Sequence, residues 1–318
     1  MGAHPDKTFK TYDEQRELLL SRGLIIDHPR FFAHALQRDD YYNIINGYKK
    51  HFIASMDPEQ YIPGVTFENV YALYTFDQNM RGLFLIELLK IEKHIKSLVA
   101  YHFSEKHGYD HRTYLDINNF KHDSAQNRRY ADRLIKDINQ DIAYYQRRGN
   151  NAICHYLNEY QYVPLWVLNS ILSFGKIAHF YSCMYLDEQQ AVAQQFKMSA
   201  KCLDGFIYYL GDIRNTCAHG GRVYTPNKSS HYRKNIPDTS LHELMAIPRN
   251  GAGNYIAGKN DILAAMISFK YFLGKAEFRI LKKKLKRAHD ALKKSIPVEI
   301  LSRVDSELGL NESRYCVL

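Results

Sequence analysis

Apolar residues recur every three or four positions along most of this chain, the spacing of amphipathic helix, and the strict alternation of strands is scarce. The longest such stretch covers 67–102, where Val70, Leu73, Tyr74, Leu88, Ile91 and Ile95 keep that interval. Asp77, Arg81, Glu87, Glu92 and Lys96 interrupt the same apolar helix. Buried charges need partners, so these five are read as a structural network. Thr11 with Glu14 three positions on predicts a capping box at the start of a helix over 11–20, which Gly23 ends. Further helices are expected over 29–36, 127–148, 164–185 and 187–197, with a loop over 57–64 around Pro58 and Pro63 and irregular chain over 104–125.

Ser199 is placed to cap the next helix, whose stripe is Leu203, Phe206, Ile207, Leu210, Ile213 and Cys217, and Gly220-Gly221 stops it. The following stretch, 225–259, is rich in Pro, Gly, Asn and Ser and long for a loop inside a compact domain, so it is expected to be functional or mobile. A final helix is expected over 261–295 and carries a strongly basic run at 278–287. The pattern as a whole predicts one all-α domain over 1–318, with the mobile loop at 225–259 and a basic helical C-terminal extension over 260–318.

Composition adds a direction. The 318 residues carry 43 Lys and Arg against 34 Asp and Glu, a formal charge of +9 and a pI near 9.1. That surplus favours a polyanionic partner such as RNA, although solubility alone accounts for it too. The 25 tyrosines suit stacking on unpaired bases as well as the rim of a core. Five widely spaced cysteines without a C-x-x-C pair argue against a disulfide scaffold or zinc knuckle and for a reducing compartment. The first 30 residues are too charged for a secretory signal and no apolar run is long enough to span a membrane, so the cytoplasm is expected. His107 and His111 are separated by Gly108 and Asp110, which do not favour a metal-binding helix face, and no phosphate loop or nucleophile elbow occurs; neither metal nor cofactor is expected.

The candidate chemistry lies at Arg214, Asn215 and His219. Asn215 and His219 are four apart and share a helix face, while Arg214 is turned about 140° from His219, a gap its length covers. The three heads could surround one phosphate. A histidine can move the proton of a ribose 2′-hydroxyl or of a leaving 5′-oxygen, and an arginine can hold the phosphate through its extra negative charge, which suits metal-independent RNA cleavage. A histidine in the last turn of a helix can equally be a cap on the helix dipole.

The string Ile213-Arg214-Asn215-Thr216-Cys217-Ala218-His219-Gly220-Gly221-Arg222-Val223-Tyr224 resembles the signature of the Abi-like family, the AbiD/AbiF abortive-infection proteins of phage defence, within the HEPN superfamily. Tyr12-Asp13-Glu14-Gln15, Phe76-Asp77-Gln78-Asn79-Met80-Arg81, Ile91-Glu92-Lys93-His94-Ile95 and Ser173-Phe174-Gly175 resemble other parts of the same family, so the likeness covers most of 7–224. It implies a HEPN-type helical bundle with ribonuclease activity, in which Arg214, Asn215 and His219 are catalytic. It also implies a homodimer that joins two motifs into a composite site, and for some members a small non-coding RNA as regulator. Gly220-Gly221 departs from the pattern where many relatives have a second histidine. The candidate RNA contacts are Arg222, Tyr224, Lys228, Arg233 and Lys234 after the motif and Lys282, Lys283 and Lys284 in the basic run. The alternative is an RNA-binding protein that does not cleave and uses the motif as a phosphate clamp.

Overall fold

Thr11 caps the first helix, α1 (Tyr12–Ser21), as its sequence predicts: its N–H donates to the Glu14 carboxylate at 2.7 Å and its hydroxyl accepts from Glu14 N at 3.3 Å. The computed structural model describes residues 8–224, 235–310 and 312–318. Helix α2 (Pro29–Asp39) opens on a proline, whose missing N–H is not needed in the first turn. A wide π-helical turn, Tyr42–Asn46, and a tight 3-10 turn, Lys49–Phe52, lead into an antiparallel hairpin of β1 (Ile53–Met56) and β2 (Glu59–Tyr61). The loop expected over 57–64 is therefore partly strand. Ile53 faces Tyr61 and both are buried, but four and three residues are too few for alternation to be read.

Thr66 and Asn69 form a second capping box at the head of α3 (Phe67–His107). Its 41 residues make a rod of about 60 Å. Then come α4 (His111–Tyr114), α5 (Ala125–Arg147) and α6 (Asn151–Glu159). The single helix expected over 164–185 is two, α7 (Leu165–Leu168) and α8 (Phe174–Cys183). The break has a cause on α3: Lys96 Nζ takes the carbonyls of Asn169 at 3.2 Å and Leu172 at 2.6 Å, and Ser173 then caps α8. Next are α9 (Leu186–Gln194) and α10 (Ala200–Ala218).

The described part of the stretch read as a mobile loop, 235–259, is packed. It carries α11 (Ser240–Leu244) and buries Ile236, Leu241, His242, Met245, Ile247 and Tyr255. Those apolar residues follow no helical or strand interval, which is why the sequence reads as loop. The helix expected over 261–295 divides at Leu273 and Gly274 into α12 (Ile262–Phe272) and α13 (Lys275–Ser295). Residues 262–269 are buried on every side, whereas α13 buries one stripe, Phe278, Leu281, Leu285 and Leu292. Leu273 and Gly274 are extended between the two, and the Glu277 carboxylate accepts from Gly274 N at 3.1 Å to start the second. Helices α14 (Val298–Leu308) and α15 (Glu312–Val317) close the chain.

The architecture is all-α apart from the hairpin. Helix α3 is its axis, with α13 and α10 packed most extensively along it and α7, α8 and α9 completing the sheath. Among the described residues no helix is long and apolar enough to cross a membrane.

Candidate functional site

Ser199 caps α10, accepting from Cys202 N at 3.3 Å, and the expected stripe of Leu203, Phe206, Ile207, Leu210, Ile213 and Cys217 is buried. That fixes the rotation of the helix. Asn215 and His219 come out exposed, one turn apart, and Arg214 is half-buried beside them. His219 is the last half-helical residue. Gly220 then turns the chain with a φ of +72°, and Gly221 N reaches back to Thr216 O at 2.8 Å, the closing bond of a Schellman cap. A side chain at 221 would put its Cβ 2.9 Å from Thr216 Cγ2, so this reversal also needs its second glycine.

The charges interrupting α3 fasten this end. Glu92 accepts from Arg214 Nε at 2.9 Å with one oxygen and pairs with Lys96 at 2.8 Å with the other. Arg214 Nη1 in turn donates to Asn215 Oδ1 at 3.2 Å. The group Asn215 retains for a phosphate is therefore its amide nitrogen. Arg81 Nη1 donates to the Gly220 carbonyl and, at 3.3 Å, to that of Gly221. Asp77 is wholly buried and accepts from Val223 N at 3.0 Å, Tyr224 N at 2.7 Å and the Tyr48 hydroxyl at 2.7 Å. Burial pushes the Asp77 carboxyl up, while the Tyr48 and Tyr224 donors and the Arg81 charge oppose it. Four of the five charges read as a network, Asp77, Arg81, Glu92 and Lys96, thus serve the clamps on the motif, while Glu87 pairs with Lys90 at 2.8 Å on its own helix. Sequence could mark these charges as needing partners but could not name partners more than a hundred residues away.

A polar cavity of about 380 Å³ opens beside Gly220 and Gly221, walled by Tyr42, Asn46, Gln78, Arg81 and Arg222. Two guanidinium groups, those of Arg81 and Arg222, stand in its wall, and its Gly220 edge follows His219 in the chain. The His219 ring makes no hydrogen bond among the described residues, and no group of three or more His, Cys, Asp or Glu there is arranged to hold a metal ion.

The candidate RNA contacts fare differently. Arg222 donates to Gly47 O at 2.6 Å from the wall of the cavity. Tyr224 presents no ring to the surface: it is buried and stacked on Tyr48 at 5.3 Å, because Asp77 draws its backbone inward. Lys282 is part-buried and donates to Tyr315 O at 3.2 Å, whereas Lys283 and Lys284 are exposed on α13. No hydrogen bond or ion pair among the described residues joins these lysines to the motif. Lys228, Arg233 and Lys234 lie outside the described residues.

The model of the family described as Abi-like protein matches residues 34–225. No curated protein and no solved structure matches significantly. The matched stretch begins within α2 and ends just past Tyr224, so it contains α3, α10 and every clamp between them. It takes in more than half of the chain, which therefore belongs to the Abi-like family.

Proposed function

We propose that this chain is a metal-independent endoribonuclease of phage defence, of the HEPN type and the AbiD/AbiF kind, with Arg214, Asn215 and His219 as its catalytic residues. One observation carries the reading: Glu92 and Asn215 hold the Arg214 guanidinium in place beside an exposed His219 whose ring is left uncommitted. A structural histidine cap would be turned to the carbonyls of its own helix, and here the backbone of Gly221 closes that end instead.

In the proposed reaction the ribose 2′-oxygen attacks the adjacent phosphorus and the bond to the 5′-oxygen breaks, leaving a 2′,3′-cyclic phosphate and a 5′-hydroxyl. His219 takes the 2′ proton or supplies the 5′ proton. Arg214 and the Asn215 amide nitrogen hold the phosphate oxygens as negative charge builds on them. Each turnover needs both proton transfers, and a homodimer would supply a second histidine from a second motif. A small non-coding RNA is the proposed regulator, and the cytoplasm the proposed location.

The test is to strip the protein of RNA and incubate wild type, Arg214→Ala and His219→Ala with end-labelled RNAs in EDTA. Cleavage by wild type alone, with cyclic phosphate ends, is expected. Equal cleavage by His219→Ala would remove the motif from catalysis. Salt-sensitive binding with no cleavage under any condition would favour the non-cleaving clamp, for which the pairing of Arg214 with Glu92 is the supporting feature.

A further inference from the structure

The other side of Glu92 faces a second depression. A cleft of about 620 Å³ runs between α3 and the turn that follows α7. Its α3 wall is made of two adjacent rows with a residue every four positions, Leu89, Lys93, Ser97 and Tyr101 beside Glu92, Lys96 and Ala100. Its opposite wall carries Trp166, the only tryptophan in the chain. Tyr101 is 63% exposed and Trp166 51%, in a protein that buries Tyr48, Tyr114, Tyr181, Tyr209 and Tyr224 almost completely. Lys93 stands exposed between Leu89 and Tyr101, with no ion pair among the described residues.

The cleft is rigidly built. Asn169 Nδ2 donates to Lys96 O at 2.9 Å, and Lys96 Nζ returns bonds to the carbonyls of Asn169 and Leu172. The bond to Lys96 O fixes the orientation of the amide, and the remaining atom, Asn169 Oδ1, is buried without a hydrogen-bond partner. Exposed aromatic faces beside a free ammonium are what a flat ring attached to a phosphate requires.

We infer that this cleft binds one unpaired nucleobase of an RNA strand whose phosphate lies at Arg214. The inference rests on the reading of the motif as an RNA site, and Glu92 supplies the continuity, since it both lines the cleft and holds Arg214. Trp166 and Tyr101 give the base its stacking surfaces, and Lys93 meets the neighbouring phosphate. A base paired in a duplex must first be unstacked and unpaired to enter, so the cleft favours single strands, loops and bulges.

The lone tryptophan makes the cleft observable by itself. Trp166 emission would be followed in the full-length His219→Ala protein, which leaves the RNA intact under the proposed mechanism. The titrants are a short single-stranded oligoribonucleotide, the same strand in a duplex, and the strand with abasic sites. Saturable quenching by the single strand only is expected, with binding weakened about tenfold in Tyr101→Ala and several-fold in Lys93→Ala, both at exposed positions. An unchanged emission, or equal quenching by the duplex or the abasic strand, would overturn the inference. Emission that shifts with protein concentration and ignores RNA would overturn it too, by placing a second copy in the cleft. Cleavage by wild type beside a silent Trp166 would sink the cleft and leave the catalytic reading intact. Quenching without cleavage would do the reverse.

Discussion

The Glu92 carboxylate holds the Arg214 guanidinium at 2.9 Å, joining the middle of α3 to the end of α10 across 122 positions of sequence. Glu92 is itself buried, and its second oxygen is taken by Lys96. Its removal would leave two cations facing each other with no anion between them.

Glu92→Ala should therefore lower stability by about 2 kcal/mol, less than for a fully buried pair because both cations keep some contact with water. It should also lower kcat/KM for RNA cleavage at least tenfold, since the arginine loses its orientation. Glu92→Gln keeps an acceptor and should lose less of both. Urea unfolding beside a cleavage assay reads the two effects, and full activity in Glu92→Ala would show that Arg214 needs no such support.

Asp77 carries a heavier structural role. Replacing it by Ala strands the N–H groups of Val223 and Tyr224 and the hydroxyl of Tyr48. Each stranded buried donor costs about 1–3 kcal/mol, so a loss of about 3 kcal/mol or more is expected. Asp77→Asn keeps an acceptor and should cost about half as much. Equal urea midpoints for wild type and Asp77→Ala would contradict this account of how the chain is fastened after the motif.

The glycine pair gives a more local test. Gly220 has a φ of +72°, and a Cβ at Gly221 meets Thr216 Cγ2 at 2.9 Å. Gly220→Ala should cost about 1 kcal/mol from the left-handed backbone alone. Gly221→Ala must also push back Thr216, opening the last turn on which His219 stands, so it should impair cleavage more than stability. Thermal melts and cleavage rates on the two variants separate these effects; identical activity in both would mean that the cap does not position His219.

Much of this was legible in the sequence where the signal is local. The capping box at Thr11, the rod of α3 and the Ser199-to-Gly220 limits of the motif helix all rest on residues three or four apart. What was not legible depends on distant partners. Lys96 breaks the helix read over 164–185 by taking the carbonyls of Asn169 and Leu172, and nothing within that segment announces it. Tyr224 read as a candidate RNA contact, and its burial follows from Asp77, which takes its N–H from 147 residues earlier. At the motif, spacing placed Asn215 and His219 on one face, but only the fold identifies Glu92 as the residue that holds Arg214.

His242 supplies a pH test of the packed segment after the motif. Its ring is buried, with Nε2 at 2.8 Å from Gly258 O, and burial lowers its pKa from 6.5 against smaller opposing effects from Gly258 and Asp238. The folded state therefore prefers the neutral ring. Above 6.5 both states are neutral and the contribution to stability is complete; as pH falls below 6.5 the unfolded chain takes up a proton that the folded chain resists, and stability is lost. The melting temperature should drop between about pH 7.5 and about pH 5.5, and less in His242→Gln. His51, His111 and His179 are lowered by burial as well, so the variant should reduce the drop without abolishing it. A drop of the same size in both proteins would mean that His242 is not the residue resisting the proton.

The three lysines of α13 are not equivalent, and salt can separate them. Lys283 and Lys284 are exposed, while Lys282 is tied to the carbonyl of Tyr315. Each lysine that neutralises a phosphate of a single strand contributes about 0.7 to the slope of log affinity against log salt. If α13 holds RNA, the double variant Lys283→Ala, Lys284→Ala should flatten that slope by about 1.4 and weaken binding at low salt. Lys282→Ala should leave the slope close to that of wild type, and instead loosen the seat of α15. A slope untouched by the double variant would make the run a solvated helix face and confine RNA contact to the surface around Arg214, His219 and the cavity beside Arg222.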